Sequence, residues 1–373
     1  MAETRWTCET ASLVFCWQTP GETSHVDLAR EDVPNQVAQA RTRTVLGTPT
    51  IYHSHLSVSR VIIQDEHRIG GTRGVKVMAP AVQLGRIGIW SGRFWAHREA
   101  AQDVARELEQ LGYGAVWFNN GADAVGLARD LLGATSRIVV ASGILNIWTH
   151  RAQDVAAGHA ALAQTFPHRF LLGLGVSHAP QVDRDQAGRY SHPYERMVAY
   201  LDALDTAQPP VPAGERVLAA LGPRMLALAR ERSAGAHPYL VTVEHTRSAR
   251  QVLGDGPLLA PEQAVVLEPQ PARARSIARA YLAQYLQLPN YTNNLLRHGF
   301  TPEDLAGGGS DRLVDALVAC GSVDAIRERV ADHLRAGADH VCLQALTEDP
   351  ATLPLDEWQA LAALVDIFGQ RSQ

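Results

Sequence analysis

Lysine is nearly missing from this chain. Lys76 is the only one, so almost all of the positive charge is arginine. Acidic residues number 39 against 34 basic ones, for a formal charge of -5. That balance offers no electrostatic footprint for nucleic acid or an anionic membrane, and neither is expected as a partner. Cysteine is also scarce: Cys8, Cys16, Cys320 and Cys342 are too few and too scattered for a disulfide scaffold. No C-x-x-C pair marks a zinc or redox site, and a reduced, cytoplasmic setting is the expectation. No apolar run reaches the roughly eighteen residues of a membrane span, and the apolar piece at Ala11–Trp17 lacks the basic flank of a signal peptide. Asn290-Tyr291-Thr292 fits a glycosylation acceptor, which without an export signal is read as chance.

Hydrophobic residues, by contrast, make up 46% of 373 positions, enough for a large buried core. Their pattern divides the chain. Residues 1–80 carry pieces such as QTPGETS and IGGTRG that break any periodicity, and little packed structure is expected there. Met78 stands just before the first strand, so this segment reads either as a flexible arm or as a mis-assigned start. From Leu84 onward the pattern is regular, and residues 81–373 read as one domain.

Eight strands are expected, at Gly85–Ser91, Ala115–Phe118, Arg137–Ile144, Phe170–Gly175, Arg216–Leu221, His237–Val243, Ala264–Glu268 and His340–Leu346. They are short, rich in apolar and β-branched residues, and separated by helical patterns, as buried parallel strands are. Ala101, Val104, Ala105, Leu108 and Leu111 stripe one intervening helix. Thr301-Pro302-Glu303-Asp304 starts another within a helical excursion after the seventh strand, and Ser322 caps a third. Eight such units over about 250 to 300 residues match a TIM barrel, with a doubly wound open sheet as the alternative.

In a barrel the active site lies at the C-terminal strand ends. Those ends read Trp90-Ser91, Asn119-Asn120, Gly143 to Asn146, Val176 to His178, Gly222-Pro223, His237 with Tyr239, Glu268 and Gln344. The set is aromatic, amide-rich and poor in charge. It holds no metal set and no supportable Ser-His-Asp order, so hydrolysis and metal chemistry rank low. A mouth of this kind suits a flat, polar-edged ring system whose own electronics carry the reaction. Gly173-x-Gly175 is a weak dinucleotide signal, because the third glycine would fall at His178, and Gly173 reads better as a packing residue. The helix start at Gly222-Pro223 is equally a phosphate site, with amides beyond Pro223 and the charge of Arg224, or a plain helix start.

Taken in order, GRIGIW, ELEQLGYGAVWF, SRIVVASGILNIW, RFLLGLGVSHAP, VLAALGPRMLALARERSAGAHPYLV, LLAPEQAVVLE, LPNYTNNLLRHGF, SDRLVDALVACG and RERVADHLRAGADHVCLQAL resemble the bacterial luciferase-like superfamily. Within it they look most like the oxidoreductases assigned to coenzyme F420, a deazaflavin. The similarity spans about residues 82 to 365 and is specific as a set, though no single motif is. It implies a (β/α)8 barrel with an insertion after the seventh strand, and hydride transfer between F420 and a small organic substrate.

The resemblance also implies a bulge on the third strand, often with a non-proline cis peptide, backing the cofactor's middle ring at Gly143-Ile144. Asn146, Val176, Ser177 and His178 would contact the ring or its tail, and Gly222, Pro223, Arg224 and Met225 the tail phosphate. Relatives often carry an acid after the second strand, where this chain has Asn119-Asn120-Gly121; amides hydrogen-bond but do not shuttle protons. His178 is therefore the first candidate for a catalytic acid, with a cofactor contact or a structural role as the other readings. Asn120 and Trp90 are expected at the substrate, Trp90 equally as a core residue. His150 and His237 read as loop and strand-end residues satisfied by hydrogen bonds, and Cys342 as core. The rival functions are an FMN-dependent monooxygenase on the same fold and a deazaflavin-binding protein without turnover. A homo-oligomer is compatible with either.

Overall fold

The computed structural model describes residues 81–369 apart from Asp185. The expectations for residues 1–80 lie outside the described residues. Eleven short strands follow one another: β1 Ile87–Trp90, β2 Ala115–Phe118, β3 Val139–Ser142, β4 Leu145–Asn146, β5 Phe170–Gly175, β6 Arg216–Leu218, β7 Gly235–Ala236, β8 Leu258–Leu259, β9 Glu262–Val266, β10 Val318–Cys320 and β11 Val341–Ala345. All of the pairings are parallel. The order is β10-β9-β11-β1-β2-β3-β5-β6-β7-β8, with β4 beside β5.

Closure follows from one interruption. β8 and β9 are two halves of a single stave broken at Ala260-Pro261: the first half pairs with β7 and the second with β11. Across the break, Ala260 N donates to Ala236 O at 2.9 Å and Cys342 N to Pro261 O at 3.0 Å. The sheet therefore meets itself, making an α/β TIM-type barrel with staves β1, β2, β3/β4, β5, β6, β7, β8/β9 and β11. β10 is an extra strand on β9, and it lies at the end of an insertion whose helices are Pro271–Tyr285, Pro289–Arg297, Pro302–Leu305 and Asp311–Leu317.

Alternation along each strand sorts side chains into two layers. In β2, Ala115 and Trp117 enter the barrel interior, while Val116 and Phe118 join the larger core against the helices. The interior is filled rather than open. Trp117 stacks on His237 at 4.2 Å, and its indole N–H donates to His340 Nε2 at 3.2 Å while His340 Nδ1 donates to Gly85 O. Cys342 is fully buried there, as expected. The predicted caps at Thr301 and Ser322 both form, Thr301 as a reciprocal capping box with Asp304.

Several boundaries differ from the sequence reading. The sixth stave is Gly235–Ala236, not His237–Val243: Pro238 has no ladder N–H, Leu240 turns left-handed at φ 55°, and Thr242 already caps the next helix. The seventh begins at Leu258 and ends at Val266, not at Ala264–Glu268, because a two-residue piece beside Gly256-Pro257 carries no legible period. The fifth stops at Leu218. The third, read as one strand over Arg137–Ile144, is split around Gly143-Ile144. No helix among the described residues is long and apolar enough to cross a membrane.

Candidate active site

The split in the third stave is a register change. Ala141 pairs with Leu171, yet Leu145 pairs with Leu174, so Ser142, Gly143 and Ile144 face only Leu172 and Gly173. One extra residue makes a bulge at the C-terminal rim. The Gly143-Ile144 peptide is cis, the conformation expected from the resemblance. Local chemistry replaces the interrupted ladder: Ser142 Oγ accepts from Gly173 N at 2.8 Å and donates to Gly173 O at 2.9 Å. Ile144 folds over β5, where a Cβ on Gly175 would lie 2.5 Å from Ile144 Cδ1, and a Cβ on Gly173 would fall 1.9 Å from Ser142 O. The glycine pair is thus required by packing against the bulge, and both bulge side chains turn toward β5.

Trp90 lies on the inner side of that bulge. It is buried and donates its indole N–H to Gly143 O at 3.1 Å, and its ring sits 5.1 Å from that of Tyr239. The Tyr239 hydroxyl donates to Gln344 Oε1 at 2.8 Å, accepts from Tyr281 at 2.9 Å, and lies 3.0 Å from the Tyr285 hydroxyl. Because Tyr239 has one proton and gives it to Gln344, Tyr285 must donate in its turn. Sequence reading named Tyr239 and Gln344 only as strand ends and missed their partners. The available signal was the i, i+4 spacing of Tyr281 and Tyr285, which puts both on one face of the insertion helix.

His237 meets half of its expectation. Its Nδ1 donates to Ala260 O at 2.7 Å, but Nε2 is buried without a partner, close to where a Gly143 Cβ would lie. His150 is satisfied: Nε2 donates to Gly121 O at 3.1 Å, and Nδ1 accepts from the Thr149 hydroxyl at 3.1 Å.

The loop after β5 is pinned from both sides. Trp148 Nε1 donates to Val176 O at 2.8 Å, and Tyr190 and Asn290 both donate to Ser177 O at 3.2 Å. Ser177 itself is left-handed at φ 56°. His178 is half-buried, its ring 5.0 Å from Tyr291 and its Nδ1 without a partner. Burial pulls its pKa down to about 4, so at neutral pH it is a neutral imidazole. That places it below the ordinary imidazole range that makes histidine a candidate catalytic acid.

Asn146 is buried, and its side chain closes a local turn by accepting from Trp148 N at 3.0 Å. Asn120 is exposed, and its Oδ1 accepts from Asn146 N at 2.9 Å, which ties the β2 and β4 ends together. Gly222 caps the helix Pro223–Arg232, with nothing within 4 Å of a Cβ built on it. The amides of Arg224 and Met225 lie in its first turn, but the Arg224 guanidinium turns sideways, 4.3 Å over the Tyr194 ring and 3.5 Å from Glu195. Its charge is therefore shared with those groups and not reserved for a phosphate. No group of three metal-ligating side chains occurs among the described residues.

The site is thus the mouth of a closed parallel α/β barrel with a bulged third stave, a long insertion after the seventh, and an aromatic rim. The family model for luciferase-like monooxygenases matches residues 78–340, and the chain belongs to that family. Among solved structures it is similar to an F420-dependent secondary alcohol dehydrogenase in complex with an F420-acetone adduct, at 13% identity and TM-score 0.60 over 78% of this chain and 100% of that one. It is also similar to the oxygenating constituent of 3,6-diketocamphane monooxygenase of Pseudomonas putida in complex with FMN, at 14% identity and TM-score 0.57 over 76% of this chain and 97% of that one. A third is the coenzyme F420 dependent tetrahydromethanopterin reductase of Methanopyrus kandleri, at 15% identity and TM-score 0.55 over 77% and 98%. At these identities the likeness is one of fold. No curated protein matches the sequence.

Proposed function

We propose that the protein is an oxidoreductase that passes a hydride between coenzyme F420 and a small organic substrate at the barrel mouth. The observation that carries this reading is the bulge at Ser142–Ile144 with its side chains folded onto β5, beside a neutral rim of phenol, indole and imidazole groups. A bulge of that kind presents backbone to a flat ring, and Gly143, Ile144 and Asn146 would hold the ring while Val176, Ser177 and the first turn at Gly222–Met225 take the tail. The open approach to Gly222 fits a tail phosphate at a helix N-terminus. Bound there, the deazaflavin supplies two-electron hydride chemistry. The chain's part is to orient the substrate between Trp90, Asn120 and the tyrosines, to exclude water, and to place the unpartnered His178 Nδ1 where a proton is exchanged with the substrate.

The second reading is an FMN-dependent monooxygenase, favoured by the likeness to an FMN-bound oxygenating enzyme. Equilibrium binding of F420 and of FMN to the purified full chain, followed by oxygen uptake with each reduced cofactor, separates the two. Micromolar F420 binding without oxygen uptake is expected; FMN binding with oxygen consumption would establish the rival. F420 binding with no oxidation of its reduced form across enones, imines and ketones would indicate a binding protein without turnover.

A further inference from the structure

Glu262 opens β9 and is only 1% exposed. No cation pairs with it among the described residues, and the titratable groups around it are neutral: Tyr239 in the turn after β7, Tyr281 and Tyr285 on the first insertion helix, Tyr291 on the second, and the Cys342 thiol across the ladder, itself 4.0 Å from His237, whose pKa burial lowers. Its own contacts point in one direction. Glu262 N donates to Pro238 O at 2.9 Å, and Glu262 Oε2 accepts from Leu240 N at 3.1 Å. One residue of β9 thereby holds both ends of the Pro238–Leu240 turn.

That turn needs holding. Leu240 adopts φ 55°, a region that side-chain-bearing residues seldom occupy, while its side chain is buried against the insertion core with Val266, Leu288 and Leu346. At the apex is Tyr239, which packs on Trp90 and collects the hydroxyls of Tyr281 and Tyr285 before passing its own proton to Gln344. The carboxyl thus fixes the aromatic rim through the turn, without touching the mouth itself.

We propose that Glu262 is a positioning residue whose carboxyl clamps the Pro238–Leu240 turn and so sets Tyr239 against Trp90 at the barrel mouth. A single backbone N–H does not compensate a buried carboxylate, and Oε1 has no partner at all. Burial accordingly raises its pKa to about 8, and ionisation above that pH drives the side chain toward water and releases the turn. The inference rests on the mouth being the active site, but it is tested on the turn itself and is independent of which cofactor binds.

The test is amide hydrogen exchange of Leu240, normalised for the intrinsic pH dependence, together with the near-ultraviolet circular dichroism of the Trp90–Tyr239 pair, in the full chain. Wild type, Glu262→Gln, Glu262→Asp and Glu262→Ala are compared from pH 6 to pH 10. The Gln variant keeps the length, the acceptor and the neutrality, and should match wild type at pH 6. Asp, one methylene short, and Ala should lose at least about tenfold of the Leu240 protection, with the dichroism of the aromatic pair reduced. Raising the pH through about 8 should bring wild type to the Ala behaviour and leave the Gln variant unchanged. If Ala does not fold, the Asp and Gln variants carry the comparison. Full Leu240 protection in Asp and Ala, or a wild-type pH profile that coincides with that of Gln, would overturn the proposal. Failure to bind F420 with the Leu240 results intact would instead remove the proposed function and leave the positioning role standing.

Discussion

Gly173→Ala tests the bulge most sharply, because the added atom has nowhere to go. Its Cβ would lie 1.9 Å from Ser142 O, where ordinary contact starts at 3.4 Å, so the overlap is 3.4 − 1.9 = 1.5 Å against a backbone carbonyl and not a flexible side chain. Relief requires β3 and β5 to separate, which also parts Ser142 Oγ from Gly173 N and O. Overpacking of this kind costs about 1–3 kcal/mol, and each lost hydrogen bond about 1 kcal/mol. The sum is about 3–5 kcal/mol. Ser142→Ala removes the two hydrogen bonds without the clash and should cost about 1–2 kcal/mol. Gly175→Ala meets side-chain and not backbone atoms, Ile144 Cδ1 at 2.5 Å and Cγ1 at 2.7 Å with Ala219 Cβ at 3.3 Å, and should fall nearer Ser142→Ala than Gly173→Ala. Denaturant unfolding gives the stabilities, and, under the proposed function, titration with F420 shows whether the platform survives: Gly173→Ala should then bind it much more weakly than wild type. A Gly173→Ala protein within about 0.5 kcal/mol of wild type and with unchanged cofactor binding would refute the account of the bulge.

Other outcomes follow from the titrating groups and the tyrosines. His178 binds fewer protons folded than unfolded between about pH 4 and its ordinary 6.5, so its contribution makes stability rise with pH across that window; His178→Gln should flatten that segment of a pH–stability curve. For the same reason a kcat/KM profile should show no His178 limb between about pH 5 and 8. Glu109 accepts from the backbone N–H groups of Ser136, Arg137 and Ile138, which hold its pKa down to about 2. Its stabilisation is complete above about pH 4.5 and lost as pH falls toward 2, and Glu109→Gln should cost about 1–2 kcal/mol at pH 7 after allowance for solvent screening, by urea unfolding. Tyr239→Phe removes the hydroxyl that joins Tyr281 and Tyr285 to Gln344, leaving Tyr281 only its 3.5 Å contact to Gln344 Oε1, and should cost about 1–3 kcal/mol while raising KM more than it lowers kcat, checked by steady-state kinetics.

The succession of the staves, the helical excursion after the seventh, and the helix starts at Thr301 and Ser322 were legible in the residues, because apolar period and a capping side chain are read from neighbours in sequence. The bulge at Gly143-Ile144 was not: the residue pattern reads there as one unbroken strand, and only the resemblance to the family placed a bulge in it. Pro238 to Val241 was misread for the same reason. The run is apolar enough to be a strand, but Pro238 lacks a ladder N–H, Thr242 caps the next helix, and the Leu240 N–H of the intervening turn donates to Glu262, twenty-two residues further on.

The sequence by itself determined eight parallel strand-helix units of barrel size whose strand ends are poor in charge, because strand length, hydrophobic period and residue type are local quantities; the luciferase-like class rested on the resemblance of its motifs taken together. The tertiary structure decided the state of the groups at that rim and behind it. Burial, a property of the packed surroundings, makes His178 a neutral imidazole and keeps Glu262 a neutral acid. Side-chain direction turns Arg224 toward Tyr194 and gathers Tyr239, Tyr281 and Tyr285 onto Gln344. Desolvation and convergence of distant residues do not exist until the barrel closes, which is why no spacing in the chain expresses them.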